Sequence, residues 1–250
     1  MAIFAEHFVE KVILNRDKVP SFENYPFHLD AVRNLDSLLF HPKVTFFVGE
    51  NGSGKSTLLE AIAVKYGFNA EGGSKNFNFS NRPSHSELHQ HITLSRGIRR
   101  PKTNYFLRAE SFFNVATEIE NLDREGVGPP IIDGYGGHSL HEQSHGESFL
   151  SLVMNRFGPN GFYILDEPEA ALSPSRLLSL LVRIYDLAQQ NCQFIIATHS
   201  PILMAYPDAI IYSLGEDGAQ VTALEDTTHW SLTASFMRNP RAILDDLFSE

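Results

Sequence analysis

The chain has 250 residues, of which 42% are hydrophobic and 20% are charged, and this composition excludes a disordered protein. The formal net charge of −10 excludes a surface that is basic throughout, and the one cysteine, Cys192, excludes an internal disulfide framework. No apolar run approaches the roughly 18 residues of a membrane span, and residues 1–14 do not resemble a signal peptide. We therefore expect a cytoplasmic protein.

Short apolar runs alternate with helical patterns along the chain. Residues 8–14 are β-rich and predict an edge strand, and residues 210–214 and 221–224 flank a Gly-Glu-Asp-Gly turn and predict a hairpin. The other predicted elements are buried strands at 43–48, 162–165 and 194–198 and helices at 55–65, 111–123, 147–157 and from Ser173-Pro174 onward. This alternation predicts an α/β fold with a mainly parallel sheet flanked by helices.

Residues 71–108 differ from the rest of the chain in charge. They hold seven basic residues and two acidic ones, so the segment carries +5 in a protein of −10. A solvated face explains this charge, and so does a patch for the acidic surface of a partner or for a nucleic-acid backbone.

The strongest motif is a glycine-rich loop between the first buried strand and the helix that follows it. Residues 49–57 fit G-x-x-x-x-G-K-[ST], a pattern whose backbone N–H groups and helix N-terminus surround a polyphosphate. Lys55 would place its charge near the β- and γ-phosphates, and the Ser56 hydroxyl would ligate Mg²⁺. The predicted nucleotide-binding residues are Gly49, Asn51, Gly52, Ser53, Gly54, Lys55, Ser56 and Thr57.

Polar side chains follow the other two buried strands. Asp166 and Glu167 come directly after residues 162–165, and His199 follows residues 194–198. The carboxyl ends of parallel strands form the ligand-binding edge of such sheets. We expect Asp166 to hold Mg²⁺, Glu167 to orient or deprotonate the attacking water, and His199 to contact a γ-phosphate oxygen and Glu167.

These motifs, in this order, resemble the nucleotide-binding domain of ABC-type ATPases over about residues 40–200. Residues 165–168 match the family's L-D-E-P, and residues 143–147 resemble its L-S-G-G-Q signature. The resemblance implies ATP and Mg²⁺ as ligands and an ATP-dependent head-to-tail homodimer that hydrolyses ATP. The resemblance also implies that Ser144 and Gly146 reach the γ-phosphate bound by the other subunit. His145 and Glu147 are the signature residues next to them.

The departures from the family pattern are informative. The family keeps a glutamine after the strand that follows the phosphate-loop helix. Here residues 105–107 predict that strand, and Glu110 after it takes the glutamine's place, with Gln90 as the lesser choice. Glu147 in place of a glutamine resembles the DNA-repair and chromosome-maintenance branch. The short stretch between Glu110 and Ser144 leaves little room for the lobe with which transporter ATPases hold membrane subunits. The chain therefore resembles a small free-standing AAA-like ATPase, predicted as one domain over 1–250 with a basic insertion at 71–108 and a helical lobe at 110–158.

Several assignments remain open at this level. Tyr25 lies where the family keeps an aromatic that stacks on adenine, and Phe22 and Phe27 compete for this role. The loop histidines His138, His141 and His145 have no cysteine nearby and do not predict zinc. Residues 240–248 predict an amphipathic helix for docking or for core packing.

Three functional classes are compatible with the motifs. The first is an ATPase that drives or gates a separate effector protein, such as a nuclease in genome maintenance or phage defence. The second is the ATPase subunit of a membrane transporter, and the third is a nucleotide-dependent binding switch with negligible turnover. The preference for ATP over GTP comes from the resemblance alone.

Overall fold

The strands and helices of the computed structural model lie within residues 7–74, 86–125, 130–135, 137 and 144–249, which the structure describes. The strands are β1 (Val9–Leu14), β2 (Ser37–Leu39), β3 (Val44–Val48), β4 (Ile92–Arg96), β5 (Thr103–Arg108), β6 (Gly161–Asp166), β7 (Gln193–Ala197), β8 (Ile210–Gly215) and β9 (Gly218–Val221). The α-helices are α1 (Asp30–Arg33), α2 (Lys55–Tyr66), α3 (Leu88–His91), α4 (Phe112–Glu125), α5 (His145–Arg156), α6 (Pro174–Gln189), α7 (Pro201–Met204), α8 (Thr228–Arg238) and α9 (Pro240–Phe248).

The strands form two sheets. The larger sheet has the order β5-β6-β7-β3-β8-β9, and its neighbours pair in parallel except for the β8–β9 hairpin. The smaller sheet, β2-β1-β4, is antiparallel. The predicted α/β fold, a mainly parallel sheet with an N-terminal antiparallel portion, is confirmed.

The larger sheet is buried on both faces, as continuous apolar strands require. Successive side chains of a strand point to opposite faces, so Phe46 packs in a cluster with residues of α4, α5 and α6, whereas Phe47 packs with residues of α2 and the smaller sheet. Both side chains are fully buried. The strands that carry the polar motifs are thereby held rigidly from both sides.

Gln193 joins the two sheets. Its side chain is fully buried, its Oε1 accepts hydrogen bonds from the backbone N–H groups of Phe8 and Val9, and its Nε2 donates to the carbonyls of Val9 and His41. All the hydrogen-bonding capacity of this amide is directed at backbone groups that a buried position would otherwise leave without partners.

Two sequence predictions about strands were wrong. The first strand is not an edge strand, because β4, from the basic segment, covers the side of β1 opposite β2. The hairpin partner of β8 is Gly218–Val221 rather than 221–224, because the chain reverses over two residues and Gly218 takes the positive φ of 82° there. Leu224 instead begins a 3₁₀ turn.

The structure also describes two segments whose roles the sequence left open. The basic segment 71–108 contributes β4 to the smaller sheet and β5 to the edge of the larger one. Helix α9 has no buried residue over its described length, so core packing does not account for residues 240–248. No helix in the described ranges is long and apolar enough to cross a membrane.

Candidate functional site

The glycine-rich loop connects the end of β3 to the start of α2, as the motif predicts. Gly49 has a φ of 148°, and a Cβ there would lie 2.4 Å from the carbonyl oxygen of Leu214 on β8. Gly54 precedes the first turn of α2 with a left-handed φ of 95°. Both positions favour glycine over residues that carry a side chain. The backbone N–H groups of the loop therefore remain uncovered around the N-terminus of α2.

Lys55 lies inside this loop. Its Nζ donates to the carbonyls of Gly49 and Glu50, 2.9 Å from each. Burial lowers the pKa of this ammonium, and the carboxylates of Glu167 and Asp166 oppose that shift. The charge is held next to the backbone amides, where a polyphosphate would meet both.

Ser56 and Asp166 meet across the space between α2 and β6. The Ser56 hydroxyl donates to Oδ1 of Asp166 at 2.9 Å. Burial raises the pKa of Asp166 to about 6, although the charge of Arg108 and the Ser56 hydrogen bond lower it. A hydroxyl beside a carboxylate is a suitable oxygen pair for Mg²⁺, so these residues fit the ion that the motif implies.

Glu167 and His199 follow β6 and β7, which are neighbours in the sheet. Oε1 of Glu167 lies 3.4 Å from Nε2 of His199. Glu167 has a left-handed backbone (φ 49°, ψ 53°), which is uncommon for a residue other than glycine. A side chain in this conformation at the end of a buried strand fits the active-site pattern of locally strained backbone.

Three cavities adjoin these residues, with volumes of about 350, 360 and 410 Å³. All three are lined by Ser56 and Glu110, and two of them by Glu167. The largest is also lined by Lys55 and by the exposed ring of Tyr25. The polar ends of β3, β5 and β6 therefore face one continuous concave region.

Comparisons with known proteins agree with this geometry. Residues 143–205 match the family described as "AAA domain, putative AbiEii toxin, Type IV TA system", and residues 22–121 match one described as "AAA domain". An inward-facing structure of a putative metal-chelate type ABC transporter is 17% identical with a TM-score of 0.50, over 92% of this chain and 89% of that one. The chain has the fold of an ABC-type ATPase nucleotide-binding domain.

Two other proteins are also similar to this chain. The SMC head domain from Thermotoga maritima is 17% identical with a TM-score of 0.45, over 86% of this chain and 98% of that one. ABC transporter G family member 22 of Arabidopsis thaliana is 25% identical in an alignment over 179 residues that covers 64% of this chain. The chain spans 23% of the length of that curated relative.

The segment that resembles the family's signature lies at the start of α5, with Ser144 as its N-cap. Ser144 is exposed, and its hydroxyl donates to Oε2 of Glu147 at 2.6 Å. Glu147 also accepts from the Ser144 backbone N–H and pairs with Arg176 of α6 at 3.0 Å. These hydrogen bonds lower the pKa of Glu147.

The remaining signature residues are constrained by the same neighbours. Gly146 is buried, and a Cβ there would lie 2.6 Å from Nη1 of Arg176 and 2.8 Å from the carbonyl oxygen of Ala171. His145 belongs to α5, whereas residues 138–143, with His138 and His141, lie outside the described residues. Across the described ranges, no three His, Cys, Asp or Glu side chains form a metal-binding group.

The candidate residues for two predicted roles lie in different surroundings. Glu110 lines all three cavities, whereas Gln90 is exposed on α3 and lines none of them. Among the aromatics, Phe27 is fully buried against His91 and the Phe22 ring is covered by the Arg16 guanidinium. Tyr25 alone of the three is exposed beside the phosphate loop, with its hydroxyl 3.4 Å from Oγ1 of Thr57.

Sequence reasoning missed three functional neighbours. Arg108 pairs with Glu60 at 2.7 Å and lies 3.5 Å from Asp166. Glu169 accepts the His199 backbone N–H, and burial raises the pKa of its carboxyl. His229 of α8 contacts the His199 ring. The position of Arg108 at the end of a predicted strand was a usable signal, but no local pattern marks His229.

Proposed function

We propose that the domain binds ATP with Mg²⁺ and hydrolyses ATP to ADP and phosphate. The observation that carries this proposal is the convergence of Lys55, Ser56, Asp166, Glu167 and His199 at the carboxyl ends of three adjacent strands, β6, β7 and β3. Ligands bind at this edge in open α/β sheets. Phosphoryl transfer depends mainly on positioning and on electrostatic stabilisation, which these groups supply.

Each residue has a role that its contacts support. The amides of residues 49–57 and Lys55 would hold the phosphates, and Tyr25 would stack on the base. Ser56 and Asp166 would hold Mg²⁺, whose charge stabilises negative charge on the phosphoryl oxygens. Glu110 lines the same cavities and would contact the attacking water or the ion's water shell.

Glu167 would act as the base. Its carboxylate accepts the proton of the water that attacks the γ-phosphorus, as the P–O bond to ADP breaks. His199 orients this carboxylate through its Nε2, 3.4 Å away, and would contact the transferred phosphate. The strand ends that hold both residues are hydrogen-bonded, because Glu167 N–H donates to the Ala197 carbonyl at 3.0 Å.

The proposed site is completed by a second copy. No described residue of α5 lines the three cavities around Ser56, and Ser144 is exposed, so it would serve another subunit's nucleotide, together with the Gly146 backbone N–H that the resemblance implies. Two ATP molecules would then join a head-to-tail homodimer, because an anion bound by both surfaces favours the closed state. In this proposal residues 1–250 act as one domain and 110–158 carry the signature.

The test is the solution mass of Glu167→Gln, measured by light scattering with and without ATP and Mg²⁺. This variant retains the phosphate-binding residues but lacks the base, so it should double from 28.0 kDa only with ATP. Lys55→Ala in the same background is the matched control and should stay monomeric. Bound ATP without a mass change would refute the shared site, and no ATP binding would refute the nucleotide assignment itself.

We propose that the ATPase cycle drives or gates a separate effector protein, in a process such as genome maintenance or phage defence.

The transporter-subunit alternative is favoured by the similarity to two proteins named as ABC transporters. Co-purification with a membrane protein would select it. A binding switch with negligible turnover is the third class, and phosphate release no faster than that of Lys55→Ala would select it. If the domain drives or gates an effector, we further propose that the basic segment 71–108 binds nucleic acid.

A further inference from the structure

His199 and His229 form a direct contact that links the C-terminal helices to the proposed catalytic centre. Nδ1 of His199 lies 2.8 Å from Nε2 of His229, and the rings meet edge to face with centroids 4.8 Å apart. His229 lies in the first turn of α8, 30 residues along the chain from His199. The other ring nitrogen of His199, Nε2, is buried without a hydrogen bond and faces Glu167.

The two contacts of the His199 ring constrain where its proton resides. A neutral imidazole has one N–H donor and one acceptor nitrogen. Glu167 presents a carboxylate oxygen to Nε2, and a carboxylate only accepts, so the favourable tautomer of His199 has its proton on Nε2. The Nδ1 of His199 is then an acceptor, and the 2.8 Å contact requires His229 to donate from its Nε2.

The surroundings keep the His199 ring neutral. Burial and the charge of Lys55 lower its pKa, whereas Glu167 raises it. The groups that face it are Lys55 of α2, Glu167 and Glu169 after β6, and His229 of α8. Only a neutral ring can exist as one of two tautomers. A protonated histidine donates from both nitrogens and could not accept from His229.

Helix α8 is held mainly at the turn that carries His229. Thr227, its N-cap, is buried, and the Thr227 hydroxyl accepts from the Trp230 N–H at 3.3 Å. The rest of the helix has no buried residue, and Leu232 and Met237 are exposed. The ring contact lies in the turn that directly follows this buried N-cap.

We propose that His229 is a positioning residue for ATP hydrolysis, which donates to Nδ1 of His199 and so keeps the His199 proton on Nε2, where it meets Glu167 and the transferred phosphate. This inference rests on the proposed function for its kinetic consequence. Its structural claim, the position of one proton, is independent of that function.

The test compares three substitutions at position 229. His229→Leu removes the donor, His229→Gln replaces it with an amide N–H, and His229→Glu offers only an acceptor at neutral pH. Loss of the partner that orients a functional histidine lowers activity on the order of 10- to 100-fold. We expect that loss in kcat, with little change in KM for ATP, for the Leu and Glu variants and substantial recovery in the Gln variant. Leu232→Ala, a solvent-facing change on the same helix, is the matched control.

The second readout is the ¹⁵N spectrum of the His199 ring, which reports which nitrogen carries the proton. We expect Nε2–H in the wild type and His229→Gln, a mixture in His229→Leu and Nδ1–H in His229→Glu. An unchanged tautomer across the series, or equal kcat in all three variants, overturns the inference. If the wild type does not hydrolyse ATP, the proposed function fails and the spectrum alone decides the role of His229.

Discussion

Arg108 and Asp166 occupy paired register positions on the neighbouring strands β5 and β6, and Nε of Arg108 lies 3.5 Å from Oδ2 of Asp166. The same guanidinium pairs with Glu60 of α2 at 2.7 Å. One cation thus balances two carboxylates that are mostly buried, 7% and 11% exposed in their side chains. Without Arg108, the Asp166 carboxylate would be buried beside Glu167 with the Ser56 hydroxyl as its hydrogen-bond donor and the Lys55 ammonium nearby.

Replacing Arg108 by alanine should destabilise the fold. Removing one partner of a buried ion pair leaves an uncompensated charge and costs about 3 kcal/mol in the free energy of unfolding. Urea unfolding measures this loss. Arg33→Ala is the control, since the Arg33–Glu23 pair is exposed and should contribute less than about 1 kcal/mol. Equal losses in the two variants would contradict the bridging role of Arg108.

Replacing Tyr25 by alanine should weaken nucleotide binding. Stacking of a base on an aromatic ring contributes about 1–3 kcal/mol, so we expect the Kd for ATP to rise roughly tenfold. Tyr25→Phe keeps the ring and loses only the hydroxyl contact with Thr57, so it should bind nearly as well as the wild type. Titration calorimetry measures both. Equal affinities of Tyr25→Ala and the wild type for ATP would contradict stacking of Tyr25 on the base.

Ser144→Arg should abolish turnover without preventing ATP binding by one subunit. The residue is exposed at the start of α5, so an arginine is accommodated in the monomer but would obstruct a nucleotide held by the partner. Phosphate release and equilibrium binding of ATP separate the two effects. Asn155→Arg places the same charge on an exposed position of α5 and should leave turnover intact. Normal phosphate release by Ser144→Arg would count against a composite site.

The stability of the protein should fall at alkaline pH because of Tyr163. Burial raises the pKa of this phenol to about 12. The phenol also donates a hydrogen bond to the Gly158 carbonyl at 2.7 Å. The folded state therefore retains the proton when the unfolded chain has lost it near pH 10. The stabilisation is complete below pH 10 and is lost as the pH rises toward 12, by about 3 kcal/mol in total.

Urea unfolding at pH 9 and at successively higher pH measures this slope. Tyr163→Phe should be less stable at pH 9, because the Gly158 backbone loses its partner, but it should show a shallower decline above pH 10. Tyr25→Phe, at an exposed tyrosine, should retain the wild-type slope. A wild-type slope in Tyr163→Phe would assign the decline to other groups.

The local pattern of residues was sufficient to predict the phosphate loop and the strands that flank it. Gly49, Lys55 and the apolar run before them are contiguous, so the chemistry and its scaffold are visible in one window of the sequence. Asp166 and His199 were placed near this loop because parallel strands end at a common edge. Their proximity follows from topology, which alternating strands and helices predict.

The contacts that were missed join segments far apart in the chain. The pairs of Arg108 with Glu60 and Asp166 span 48 and 58 positions, and His229 lies beyond the last predicted strand, in a helix without a matching motif. The smaller sheet was misjudged for the same reason, because β4 reaches β1 from a segment whose composition suggested a surface insertion. Pairings of this kind depend on tertiary packing, which no short window contains.

The strand order also has a consequence for how the protein is made. The strand before the phosphate loop, β3, is complete by residue 48, yet its two neighbours in the sheet, β7 and β8, come from residues 193–215. A ribosome must therefore translate most of the chain before the strand that supports Gly49 has a neighbour on either side. Until then the apolar residues of β3 have no neighbouring strand, and unpaired apolar strands of this kind make an incomplete chain prone to aggregation.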